Sequence, residues 1–148
     1  MLREALQTAE LHFRRAEENY LELQNLELNR ETLQQHEIIK TVDAFLFRFI
    51  KLQDFIGDKL FKELLKRIGE YKDSMSLLDI LDKLEKIEIV TDADSWLQYR
   101  SLRNALTHEY PDNESDVLSG IKNALTIFSK VGLILNNVKT YISLKKLI

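Results

Sequence analysis

The stretch VLSGIKNALTIFSKVGLILNNVKTYI, Val117 to Ile142, decides the fold class. Its apolar residues recur at Val117, Ile121, Ala124, Phe128, Val131, Leu135, Val138 and Ile142, in alternating steps of four and three. That spacing returns to one face of an α-helix on every turn, whereas a half-buried strand alternates by two. The chain's one proline, Pro111, precedes this helix, and Glu114 and Asp116 fall in its first turn, where the helix dipole favours acids. Gly120 and Gly132 lower its helix propensity and mark expected points of close helix approach.

The same rhythm runs back through the chain. Leu2, Leu6, Ala9, Phe13, Ala16, Tyr20 and Leu23 form a seam that predicts a helix from Leu2 to Leu26. Asn29 is the next expected N-cap, with Thr32 or Glu31 in the first turn. A second seam follows at Ile38, Val42, Phe45, Phe49, Leu52 and Ile56, flanked by Ile39, Leu46, Phe47 and Ile50. A helix apolar over so much of its circumference is either central in a bundle or has a second partner, for which a dimer mate is the natural candidate. Gly57-Asp58 either bends this helix or lies within it, because Leu60, Phe61, Leu64, Leu65 and Ile68 continue the stripe; Gly69 is the expected stop.

Ser76 and Asp79 resemble a capping box that opens a third helix, with Leu77, Leu78, Leu81, Leu84 and Ile87 facing inward. Ile89-Val90 is strand-like but has no neighbour to pair with. Asp92 or Asp94 caps a fourth helix that carries Trp96 through His108. There is no repeat and no linker. The expectation is an all-α, single-domain, up-and-down bundle of about five helices spanning residues 1–148.

Composition agrees. Four glycines and one proline are too few for a turn-rich β or Rossmann-like chain. The absence of cysteine excludes disulfides, zinc-thiolate sites and thiol catalysis, and suits a reducing cytoplasm. With neither a cationic-then-apolar leader nor an uninterrupted apolar run of about 18 residues, a cytoplasmic protein with no membrane segment is expected. The net charge of −3 is not that of a general nucleic-acid binder. Residues 117–148 nevertheless hold five lysines and no acid, which reads as the solvated face of a bundle helix.

Chemistry concentrates in Arg103-Asn104-Ala105-Leu106-Thr107-His108-Glu109-Tyr110. On a helical wheel Arg100, Arg103, Asn104, Thr107 and His108 share one arc of about 140°. Pro111 disfavours helical backbone at Tyr110, so the helix should end near Glu109, with His108 in its last turn and Tyr110 on a turn. The negative helix end there favours the imidazolium. RNA cleavage without metal needs proton transfer to and from two oxygens and a cation for the phosphorane. Arginine suits the last task through its planar fork. One chain offers a single motif histidine, so a symmetric dimer sharing one cleft would complete the set. His12, His36 and His108 have no ligand spacing, and no metal or cofactor site is expected. His12 and His36 read as solvated, and Trp96 and Tyr99 as core and rim aromatics.

Arg103-Asn104, three residues, then His108-Glu109-Tyr110 resembles the Arg-x4-His-x-Tyr motif of HEPN-domain proteins, with the polar residue that commonly follows the arginine. Over its whole length the chain is similar to the HepT-like toxins and the related nucleotidyltransferase substrate-binding proteins. The resemblance implies a homodimer whose motif helices line a shared cleft. In the toxin branch the cleft cuts RNA without metal, with Arg103 and His108 as the active-site pair and Asn104 in support. Arg100 and Thr107, on the same stripe, are candidate substrate contacts. The implied partner is a minimal nucleotidyltransferase that acts as antitoxin by adenylylating Tyr110, adding negative charge and bulk where RNA phosphate would sit. The alternative within the same resemblance is a non-catalytic subunit that docks onto such a transferase and presents substrate to it.

Overall fold

The computed structural model describes residues 1–108 and 114–148, with side chains from 106 to 116 set aside. Its helices are α1 (Leu2–Gln24), α2 (His36–Phe55), α3 (Phe61–Arg67), α4 (Leu77–Lys86), α5 (Ala93–His108) and α6 (Glu114–Leu144). A π turn, Ile56–Leu60, joins α2 to α3 without a break, so the described residues build five rods and no strand.

Contacts along the rods fix their directions. Tyr20 meets Phe45 and His12 meets Phe55, so α1 and α2 are antiparallel. Glu10 pairs with Lys139 while Tyr20 touches Phe128, so α6 also runs against α1. Helix α5 lies antiparallel to α2 and α3, with Trp96 on Phe61 and Arg103 on Asp54. The α6 seam is buried from Ile121 to Ile142, and Val117 is partly buried. Phe128 lies at the centre, stacked on Phe13 at 5.1 Å and edge-on to Phe45 at 5.6 Å. At Gly132 a Cβ would lie 2.9 Å from the Phe13 ring, so α1 and α6 approach so closely that any side chain there would make the ring move. Lys122, Lys130 and Lys139 are exposed on the opposite face. Over Val117–Leu144 this helix has the length and mean hydropathy (1.3) of a membrane span, but its apolar seam is packed inside the bundle.

Helix α2 is central, covered by α1, α5 and α6, and this accounts for most of its apolar girth; Phe47 alone among its large apolar side chains is well exposed. The π turn follows from the side chains. Leu52, Ile56, Leu60 and Leu64 are spaced by four each time and all are fully buried. In a regular α-helix each step of four drifts by about 40°. One wide turn takes up the drift and keeps all four in the core.

Local signals act as the residues demand at several ends. Gly69, at φ 77°, closes α3: its N–H donates to Lys66 O and that of Glu70 to Leu65 O at 2.8 Å, a Schellman closure. The Ser76–Asp79 capping box is present in both directions, at 3.0 and 3.1 Å. Ile89-Val90 is buried irregular chain, anchored by Asn137 Nδ2 donating to Ile89 O.

Three expectations change. Asn29 and Thr32 do cap one another, but around a single 3-10 turn (Thr32–Gln34), and α2 starts later with Gln35 at its N-cap. Leu78 faces solvent and Ile80 takes the core position, because residues 77, 80, 81 and 84 share one helical arc and 78 lies outside it. His12 is only partly solvated: its ring packs on Phe55 at 5.7 Å, and Nδ1 is buried with no hydrogen-bond partner among the described residues.

Candidate functional site

Helix α5 carries the polar stripe, and its first turn is set firmly. Asp92 accepts from Ser95 N at 2.7 Å and from Ser95 Oγ at 3.1 Å, so Asp92 is the cap. One turn on, Trp96 is buried against the π turn, where a Cβ on Gly57 would lie 3.3 Å from its Cζ2. The missing side chain at Gly57 lets the indole, and with it the whole helix, come down onto the wide turn. Tyr99 is buried as well, so both aromatics belong to the core.

Two turns beyond Trp96, Arg103 reaches across to Asp54, two residues before the π segment. Arg103 Nε and Nη2 donate to Asp54 Oδ1 and Oδ2, each at 2.7 Å, and Nη1 donates to Asn104 Oδ1 at 3.1 Å. The bidentate hydrogen bonds to Asp54 push the Arg103 pKa further up, and the charges of Asp54 and Asp58 act in the same direction. The guanidinium is therefore a fixed cation with a defined plane. Beside it lies a small cavity of about 110 Å³, bordered by Gln53, Asp58, Gly57, Arg100 and Asn104 as well as the ion pair. Gln53 is 3 % exposed, and neither amide atom finds a hydrogen-bond partner.

The structure thus brings Arg100, Arg103 and Asn104 to one rim. Helix α5 ends at His108, five residues after Arg103 and about 7.5 Å further along the axis. The side chains of Thr107 and His108, and the whole of Tyr110, lie outside the described residues. Sequence reading missed Asp54, Asp58 and Gln53. The run of fours through Gly57-Asp58 was a signal for the wide turn, but the spacing does not say that α5 lies on it.

Chemically the rim offers an arginine fork and an amide to an oxyanion, but in the free chain two of the fork's nitrogens are held by Asp54. A phosphate must either share the remaining N–H groups or displace the carboxylate. No family model matches the chain, and neither curated proteins nor solved structures give a match.

Proposed function

We propose that the chain is a HEPN-type toxin: a metal-independent endoribonuclease whose site forms between two copies and is neutralised by a minimal nucleotidyltransferase that adenylylates Tyr110. The observation that carries this reading is the clamped Arg103. A bidentate carboxylate holds the motif arginine beside Asn104, on the helix that ends at His108. In the reading, Arg103 stabilises the dianionic phosphorane, Asn104 orients the guanidinium, and the two copies of His108 act as base and acid. Arg100 and Thr107 contact the flanking RNA backbone. Adenylylation places phosphate charge beside this cation and blocks the cleft.

Cleavage of RNA by the purified protein in EDTA, lost in Arg103→Ala and His108→Ala while the helical spectrum persists, is the expected result. RNA left intact by the wild-type dimer would overturn the reading.

The Asp54 clamp itself favours a second reading. With Nε and Nη2 already held by a carboxylate, Arg103 also suits a non-catalytic module that docks onto a nucleotidyltransferase and presents substrate to it. Intact mass after co-expression separates the two: an adenylate on Tyr110 supports the toxin, and a stable complex without one supports the module.

A further inference from the structure

A second cationic surface lies away from the Arg103 pocket, on the outer side of α1 and α2. Phe47 is 53 % exposed. Arg48 lies 5.5 Å and Lys51 5.4 Å from its ring centroid, so two cations attend one solvent-facing aromatic. Across the α1–α2 contact, Arg15 sits one turn along from His12, whose ring rests on Phe55. The antiparallel contacts His12–Phe55 and Tyr20–Phe45 set Arg15 at about the level of Lys51 along the helix pair, and burial first, then the charges of Arg15, Lys51 and Arg48, hold the His12 pKa below 6.5. No carboxylate among the described residues lies within 4.0 Å of Arg15, Arg48 or Lys51. The acids nearest along the helices are Glu17 and Glu18 beside Arg15, Asp43 one turn before Phe47, and Asp54, which lies one turn after Lys51 and is engaged by Arg103. Without an ion pair among the described residues, these three exposed or half-exposed cations form a patch that can take an anion from outside, although the chain's net charge is −3.

We propose that Arg15, Arg48, Lys51 and Phe47 form a docking surface for single-stranded RNA, the cations holding phosphates and the Phe47 ring stacking on a base. Aromatic faces among cations suit single strands, which expose both groups together. Placement supports the choice. Asp54 follows Phe47 by seven residues, two turns on the same stripe of α2, so the surface leads to the Arg103 pair about 10 Å along the axis. This inference rests on RNA being the substrate, as proposed above; it adds where the strand is held outside the cleft.

The test uses the His108→Ala protein, which leaves RNA uncut, and a labelled unstructured single-stranded RNA followed by fluorescence anisotropy across a salt series. The triple variant Arg15→Gln/Arg48→Gln/Lys51→Gln should bind about tenfold or more weakly, with a log–log salt slope shallower by about two, at ~0.7 per phosphate. Phe47→Ala should weaken binding about fivefold or more and leave the slope unchanged. Melting curves confirm that both variants fold, since the changed groups face outward. Binding within about twofold of the parent in the triple variant overturns the inference. So does equal competition by polyglutamate combined with no effect of Phe47→Ala, which would assign the surface to an acidic protein. A wild-type protein that binds RNA here and never cuts it refutes the nuclease and leaves the docking surface standing.

Discussion

Breaking the Arg103–Asp54 clamp tests whether the motif arginine is positioned by the fold. The pair has two bonds of 2.7 Å, with the arginine side chain 23 % and the aspartate 40 % exposed. At about 4 Å between charge centres and an effective dielectric near 20, the attraction is about 4 kcal/mol. Solvent screening and the ordering of two side chains remove much of that: exposed pairs contribute about 0.2–1 kcal/mol, while breaking buried ones costs about 3–5. A half-exposed bidentate pair falls between, so we expect a coupling of about 1–2 kcal/mol. The assay is a double-mutant cycle, with Asp54→Ala, Arg103→Ala and both together unfolded in urea and followed by far-UV circular dichroism. Single-variant midpoints should fall, and the double variant should lose less than the sum of the two. A coupling below about 0.3 kcal/mol, within the error for independent sites, would mean that Asp54 does not hold the arginine, and the argument for a preset cation would fail.

Three further outcomes follow from other parts of the fold. Gly57→Val pushes methyl groups into Trp96 and should destabilise by about 1–3 kcal/mol, with a shifted emission from this sole tryptophan; an unchanged spectrum and midpoint would refute the close approach. Ser76→Ala removes the α4 cap and should cost about 1 kcal/mol, or a drop in Tm of about 2–4 °C by calorimetry. His12, with its folded pKa depressed below 6.5, stays neutral where the unfolded chain takes a proton. Its contribution is complete above pH 6.5, drains as pH falls below that value, and levels off once the folded pKa is passed. Urea midpoints of wild type and His12→Gln should therefore change in parallel above pH 6.5 and diverge below it, with the wild type losing more.

The helices were legible because burial and sequence rhythm are the same fact in a bundle. From Ile121 to Ile142 every seam residue of α6 is buried, and the stop at Gly69 and the box at Ser76 depend only on neighbours within one turn. The polar stripe on α5 was legible for the same reason, being periodic on one helix. Asp54 was not, because its partner lies 49 residues away and the meeting depends on how α2 and α5 are brought together. Gln53 escaped notice because a glutamine beside an apolar seam reads as solvated unless the opposing helix is known. His12 was misjudged likewise: only the packing of α1 on Phe55 takes its Nδ1 out of water.

The wide turn at Ile56–Leu60 has a consequence for the length of the chain here. It divides one rod into two halves that keep different phases, α2 matched to α1 and α6, and α3 matched to its own neighbours. The residue that absorbs the difference belongs to neither half. The present residues wound as regular α-helix would rotate one half by about 100° against the other, and could then bury Phe49 and Leu52 or Phe61 and Leu64 but not both sets at once. A chain one residue shorter could close the turn into ordinary helix with both halves still in phase. Gly57 lies in that turn and Asp54 two residues before it, so the position of the Arg103 pocket and the phase of the core both depend on the wide turn.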